Sequence, residues 1–103
     1  MVDFDFFGNQ ISCHNTGPVG VTQNSGFVSG IAVPMPHFGA ILQWDTFNGI
    51  AERIREERIQ FVLDPMIRYP GEQGEQATMF VRDFSGNAIE FKSFRHPEHV
   101  FTA

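Results

Sequence analysis

The chain has 103 residues, 42% of them hydrophobic and 12 of them phenylalanine, which suits a single domain with a modest core. Its formal net charge of −5 argues against nucleic acid and against an anionic membrane surface as partners. A single cysteine, Cys13, excludes an internal disulfide, and no apolar run approaches the roughly 20 residues that span a bilayer, so a cytoplasmic protein is predicted.

Residues 1–14 are predicted to form a strand hairpin. Apolar side chains alternate with aspartates at its start, which is the period of a half-buried strand. Gly8-Asn9 is predicted as the turn, because both residues tolerate positive φ. Gln10 to His14 then returns as the second strand. Cys13 lies on the apolar side of that strand and is interpreted as a small core residue.

Residues 15–36 are predicted to be a linker. They are rich in glycine, asparagine and proline, which favour turns and loops over regular elements. A short strand at Phe27-Val28 is the one regular element predicted within them. A loop of this length in a small domain is typical of a lid or a connector.

His37 to Trp44 is predicted to form a strand, and a helix is predicted after it. One face of the strand would carry apolar side chains: Phe38, Ala40, Leu42 and Trp44. Asp45 is predicted to cap a helix over Thr46 to Arg58. The helix would present an apolar stripe at i, i+3, i+4 and i+7: Phe47, Ile50, Ala51 and Ile54. This stripe should pack on the apolar face of the strand.

Three further strands are predicted before a tail at residues 95–103. They are Gln60 to Tyr69 with a bend at Pro65, Ala77 to Asp83, and Ala88 to Phe94. Turns at Pro70 to Gly74 and Phe84 to Asn87 separate them. The order strand, helix, strand, strand, strand predicts an α+β fold, with a complete βαβββ module over residues 37–94 and the hairpin of a partial first module before it.

Three segments resemble the vicinal-oxygen-chelate superfamily, which includes glyoxalase I, bleomycin-resistance proteins and extradiol dioxygenases. They are Pro36 to Gly39, Gly74 to Phe80, and Asp83 to Lys92, the last with Phe84 where the family usually has proline. Members pair two βαβββ modules around a cleft, and the resemblance covers nearly the whole chain. Family members usually begin with about forty more residues, so the resemblance implies an N-terminally incomplete chain, which is either naturally short or has lost its front segment.

The resemblance also implies a metal site. In metal-dependent members, one ligand comes from the first strand of a module and one from the last, and His37 and Glu90 match those positions. His14 is the candidate third ligand by position. Two imidazoles and one carboxylate suit a divalent Fe, Mn, Ni, Co or Zn ion with open coordination sites. Glu90 is also the candidate catalytic residue, as a carboxylate that moves protons.

Other residues have simpler interpretations. A histidine and a glutamate near strand ends are usually surface or cavity-lining polar residues. His96 and His99 could chelate a metal on a helix, but they lie in the tail. Gly71 and Gly74 are turn formers and fit no phosphate loop. Phe7 and Phe80 could line an apolar pocket.

Three functional hypotheses follow. The first is a metal-dependent lyase, isomerase or dioxygenase acting on a small vicinal-oxygen molecule, with the metal as Lewis acid and template. The second is a non-catalytic module that binds a drug or another small molecule. The third is an inactive truncated paralogue. A sheet without its first strands leaves an edge and an apolar face open, so a homodimer or higher homo-oligomer is predicted.

Overall fold

The computed structural model describes residues 2–14, 17, 25–28 and 30–99. Eight strands and one α-helix are present among them. The elements are β1 (Val2–Phe6), β2 (Asn9–Cys13), β3 (Ser25–Val28), β4 (Ile31–Pro34), β5 (Phe38–Ile41), α1 (Trp44–Glu56), β6 (Leu63–Arg68), β7 (Gln76–Arg82) and β8 (Ala88–Phe94). A short 3₁₀ helix, Pro97–His99, follows the last strand.

The main sheet has four strands in the order β5-β8-β7-β6. The β5–β8 pair is parallel, whereas the other two pairs are antiparallel. The last strand of the unit therefore lies beside its first strand, and α1 connects the two edges of the sheet. This is the predicted βαβββ module, with β8 beginning and ending at the predicted residues.

The first hairpin turns one residue earlier than predicted. Phe6 pairs with Asn9, so Phe7 and Gly8 form the turn, with φ angles of 54° and 85°. The backbone N–H of Gly8 donates a 2.8 Å hydrogen bond to Oδ1 of Asp5, which stabilises this turn with a phenylalanine in the left-handed region. The core assignment of Cys13 is wrong, since the structure exposes its side chain.

A second hairpin lies within the predicted linker. Strands β3 and β4 pair antiparallel with Val28 opposite Ile31, and Gly30 at a φ of 81° helps to make the turn. The short strand at Phe27-Val28 is thus confirmed, and the loop assignment of residues 31–34 is wrong. Val33 is only 2% exposed, so burial of this strand outweighs a composition that favours turns.

Helix α1 begins two residues before its predicted start and ends two residues early. Its N-cap is Gln43, which makes no side-chain capping bond, so the assignment of Asp45 as N-cap is wrong. Asp45 lies in the first helical turn, where its carboxylate interacts favourably with the helix dipole. The predicted strand is correspondingly shorter, because β5 ends at Ile41 and Trp44 already belongs to the helix.

The core lies between α1 and one face of the sheet, as predicted. Its buried side chains are Leu42, Phe47, Ala51, Ile54, Ala77, Met79, Val81 and Phe91. Ala40, Trp44 and Ile50 pack against this cluster and are partly buried. Phe38, the remaining member of the predicted apolar face, is 42% exposed and contacts the ring of Phe6 from the first hairpin.

Two local features shape the rest of the module. The register of β6 against β7 shifts between Leu63 and Met66, which places a bulge at the predicted bend around Pro65. At the other end, the guanidinium of Arg95 lies 4.1 Å from the centroid of the Trp44 ring and 3.2 Å from a carboxylate oxygen of Glu75. This contact joins the end of β8 to the start of the helix.

Candidate functional site

The candidate site lies where β5 and β8 run side by side. His37 immediately precedes β5, and Glu90 is in β8, opposite Gly39. A Cβ atom at position 39 would clash with the backbone carbonyl group of Glu90. Glycine is therefore required for the two strands to approach this closely, and the approach places His37 and Glu90 at one end of the same sheet face.

His37 is held by contacts at both ring nitrogens. Nδ1 is 2.8 Å from the carbonyl oxygen of Pro34, and Nε2 is 3.5 Å from Oε1 of Glu90. The ring packs edge-on against Phe80, with centroids 4.9 Å apart. A carbonyl oxygen only accepts hydrogen bonds, so Nδ1 carries the proton in this contact. In the neutral form of the ring, Nε2 would then hold the lone pair, and this nitrogen faces the Glu90 carboxylate.

The Glu90 carboxylate uses its two oxygens differently. Oε2 accepts a 2.6 Å hydrogen bond from the hydroxyl of Thr78 and lies 3.7 Å from Nζ of Lys92. Oε1 faces His37. The side chain of Glu90 is 14% exposed and Thr78 is fully buried, so the carboxylate is fixed by groups within the sheet. Because side chains alternate along β8, Glu90 and Lys92 lie on the same face of the sheet.

The separation of Nε2 of His37 from Oε1 of Glu90 leaves room for either a proton or a metal ion between the two atoms. Two lone pairs that face each other repel unless a proton or a metal ion lies between them. Two donors, each 2.0–2.2 Å from a tetrahedral ion, are about 3.3–3.6 Å apart. The observed 3.5 Å falls in this range. The nitrogen–oxygen donor pair therefore fits two corners of a divalent-metal site, and a protonated imidazole fits it equally.

His14 does not join this pair. It follows β2 and is exposed. In the described part of the chain, no group of three or more His, Cys, Asp or Glu side chains is arranged to hold a metal ion. The structure thus brings two of the three predicted ligands together, and the role of His14 stays a prediction.

A cleft of about 250 Å³ opens beside His37. Its lining comes from the start of β5, the end of β7 and the turn before β8: Pro36, His37, Phe38, Arg82, Ser85, Gly86, Asn87 and Ala88. Thr78 and Arg82 are the site residues that sequence reasoning missed. Both alternate with Phe80 along β7, and pairing of Phe80 with Glu90 puts them on the His37 face. The alternation along β7 was the sequence signal that these residues share a face with Phe80.

Among the remaining candidates, Phe80 packs against His37, whereas Phe7 and His96 do not line the cleft. His96 is exposed, with Nδ1 4.0 Å from a carboxylate oxygen of Glu98, and the side chain of His99 lies outside the described part of the structure. Phe80 is buried beneath His37, whereas Phe7 is 49% exposed and packs edge-on against Phe91. Across residues 2–14, 17, 25–28 and 30–99, no helix is long and apolar enough to cross a membrane.

Two solved structures share this architecture. A glyoxalase/bleomycin resistance protein/dioxygenase from Alicyclobacillus acidocaldarius matches with a TM-score of 0.74 at 25% identity, over 96% of this chain and 70% of that chain. The fosfomycin resistance protein FosX from Listeria monocytogenes matches with a TM-score of 0.50 at 18% identity, over 64% of this chain and 51% of that chain. No protein-family model matches the sequence, and no curated protein does.

These matches define the class of protein. The chain has the glyoxalase/bleomycin-resistance/dioxygenase fold, and the predicted resemblance to the vicinal-oxygen-chelate superfamily is confirmed. The superfamily fold serves both enzymes and resistance proteins, so the function of this chain has to be argued from its site.

Proposed function

We propose that this chain carries a small-molecule site of the vicinal-oxygen-chelate kind, in which His37 and Glu90 bind a divalent metal ion. The observation that carries the proposal is the contact between the Nδ1 proton of His37 and the carbonyl oxygen of Pro34. Metal-binding histidines typically donate their second ring N–H in this way, which fixes the tautomer and aims the other nitrogen at the metal. The free Nε2 of His37 faces Oε1 of Glu90 at 3.5 Å.

The surrounding residues have defined parts in this proposal. Thr78 orients Glu90 through Oε2 and leaves Oε1 for the metal. Lys92 offsets part of the carboxylate charge. A bound divalent ion would supply Lewis-acid chemistry towards a substrate with two neighbouring oxygens. In the enzymatic form of the proposal, a lyase, isomerase or dioxygenase, Glu90 is the group that accepts and returns a proton.

The third ligand is proposed to be His14 of a second copy, because His14 does not join His37 and Glu90 within one chain. A second copy is proposed because the first hairpin exposes large apolar side chains: Val2 at 56%, Phe4 at 54% and Phe7 at 49%. Such a surface in a soluble domain favours association. Light scattering at micromolar concentration tests this part. A monodisperse monomer would contradict the homodimer.

The metal proposal is tested by titrating chelator-treated protein, purified without a histidine tag, with Mn²⁺, Ni²⁺ or Zn²⁺ while following the thermal midpoint. An ion that binds only the folded state raises the midpoint. We expect the rise to vanish in His37→Ala and Glu90→Ala and to persist in His96→Ala, which removes an exposed histidine. His14→Ala reports on the third ligand.

A second candidate function is a non-catalytic binding module. The observation that favours it is the two-donor set, because structural and catalytic metal sites in proteins normally use at least three protein ligands. The cleft beside His37 is then the binding site itself. If no metal raises the midpoint while a small organic ligand does, the binding module replaces the enzyme as the functional assignment.

A further inference from the structure

We infer that the cleft beside His37 recognises the carboxylate group of a small organic acid through the guanidinium of Arg82. This inference rests on the proposed small-molecule site and names its substrate class. A ligand with a carboxylate next to a hydroxyl or oxo group would place the carboxylate against Arg82. Its neighbouring oxygens would then lie towards His37 and Glu90.

The first observation is the state of Arg82. The side chain is half-buried in the lining of the cleft, and its Nη1 donates a 2.9 Å hydrogen bond to the carbonyl oxygen of Gly86. No carboxylate among the described residues pairs with it. By contrast, Arg53, Arg55, Arg95 and Lys92 each pair with a glutamate. A half-buried guanidinium without a counter-ion, in a chain of net charge −5, indicates a site for an anion.

The second observation explains why Asp83, the nearest carboxylate in sequence, does not neutralise Arg82. Its Oδ1 accepts hydrogen bonds from the backbone N–H groups of Ser85 and Asn87, at 2.9 and 2.8 Å. Its Oδ2 accepts one from the side-chain amide of Asn87 at 2.8 Å. Both oxygens of the Asp83 carboxylate therefore accept hydrogen bonds within the turn. The Arg82 guanidinium can interact with a ligand in the cleft.

The third observation is the character and size of the cleft. None of its lining residues is acidic, and the Ser85 hydroxyl makes no hydrogen bond with another described residue. The volume of about 250 Å³ is below the roughly 300–1,000 Å³ of pockets for drug-sized ligands. A ligand that fills it can touch both His37 and Arg82. Apart from its bond to Gly86, the planar Arg82 guanidinium has further N–H donors, and these can form paired hydrogen bonds with a planar carboxylate.

Arg82 also lines a second cleft, of about 580 Å³, together with Glu57, Arg58 and Phe84. The His37 cleft is favoured because Nη1 of Arg82 is hydrogen-bonded to Gly86, which lines the His37 cleft and not the second one. The second cleft supplies a matched control for the loss of positive charge. Arg58→Gln removes the same charge as Arg82→Gln from an exposed residue of the second cleft.

The experiment compares three probes by calorimetric titration of metal-free protein at low ionic strength: glycolate, ethylene glycol and inorganic phosphate. We expect glycolate to bind. Ethylene glycol, which has two vicinal oxygens but lacks the carboxylate and its charge, should bind more weakly by about tenfold or more. Arg82→Gln should weaken glycolate binding by about tenfold and Arg82→Lys by less, whereas Arg58→Gln should leave it unchanged.

Several results would overturn the inference. They are equal binding of glycolate and ethylene glycol, glycolate binding unaffected by Arg82→Gln, equal losses in the Arg82 and Arg58 variants, or binding of phosphate without glycolate. The glycolate comparison on the unaltered protein decides the matter even if Arg82→Gln fails to fold. Because these titrations use metal-free protein, failure of the metal proposal leaves them interpretable. A metal-dependent rise in the thermal midpoint without glycolate binding would contradict the inference about Arg82 and would leave the metal proposal standing.

Discussion

The hydroxyl of Thr78 donates a 2.6 Å hydrogen bond to Oε2 of Glu90, across the antiparallel pair of β7 and β8. Thr78 is fully buried, so this bond is sheltered from water. One carboxylate oxygen is thereby fixed to the sheet, and the other is presented to His37. The orientation of the Glu90 carboxylate therefore depends on a residue that does not line the cleft.

The first prediction concerns this bond. Thr78→Val removes the donor while keeping the shape, and leaves the Glu90 oxygen without its buried partner. We expect a loss of about 1–3 kcal/mol in the free energy of unfolding. The affinity for a divalent metal should fall by roughly 10- to 100-fold, as it does when other groups that orient a ligand are lost. Chemical denaturation and metal titration measure the two effects.

Thr78→Ser is the control for that variant, because it keeps the hydroxyl. Its metal affinity should stay near that of the unaltered protein, although the lost methyl group lowers stability by about 0.8 kcal/mol. Equal metal affinities in the valine and serine variants would show that the hydrogen bond does not orient Glu90.

The second prediction compares two glycines. Gly39→Ala would bring a methyl group against the main chain of Glu90, and should destabilise the fold by about 1–3 kcal/mol while displacing β5 from β8. Gly49 lies exposed in α1, and a Cβ atom added there would meet nothing within 4 Å beyond its own helical backbone. Gly49→Ala should therefore stabilise the protein by about 0.5–1 kcal/mol. Thermal or urea unfolding of both variants measures the change in the free energy of unfolding, which should be opposite in sign for the two.

The third prediction tests the packing of α1 on the sheet. Leu42 belongs to the core and is 9% exposed, whereas its neighbour Ile41 is 53% exposed. Leu42→Ala should cost about 2–5 kcal/mol, because it leaves a cavity beneath the helix. Ile41→Ala should cost less than about 1 kcal/mol. Urea unfolding of the two variants measures the difference, and similar losses would contradict the assigned faces.

The fourth prediction concerns acid. A hydrogen bond from the backbone N–H of Gly71, reinforced by Arg95, lowers the pKa of Glu75 below its ordinary value of 4.5. A carboxyl group with a lowered pKa in the folded state contributes stability above its unfolded pKa, and this contribution is lost as the pH falls through the folded value. Glu75→Gln should therefore be less stable than the unaltered protein near neutral pH, with the difference shrinking below pH 4.5.

Urea unfolding over a series of pH values, from neutral down through the folded pKa, measures this convergence. Glu72→Gln is the control, since Glu72 is exposed and its side chain makes no polar contact with the described residues. That variant should follow the unaltered protein at every pH. A constant gap between Glu75→Gln and the unaltered protein would contradict the prediction.

The module was predictable from sequence wherever local pattern and tertiary environment agree. Strand β8 was predicted to the residue, because alternating side chains follow a turn built on Asp83 and Asn87. The apolar stripe of α1 also identified the buried face of the helix. The start of the helix was misplaced because Gln43 caps it without a side-chain bond, and so gives no capping signal.

The rest depends on contacts between distant segments. Strand β4 was missed because its neighbours are rich in glycine and proline, while burial of Val33 stabilises an extended conformation there. His37 and Glu90 were identified through family resemblance. Thr78 and Arg82 acquire their roles from the pairing of β7 with β8, and a sequence alone does not give the register of that pairing.

Strand β5 has only four residues and, within the described sheet, hydrogen-bonds to β8 alone. Short edge strands are among the first parts of a domain to open transiently. A metal ion held by His37 and Glu90 would act as a clip across this edge and close a loop of roughly 50 residues. Metal binding should then slow amide hydrogen exchange along β5 more than in the helix. The bound ion would therefore lower the frequency with which this edge of the module opens.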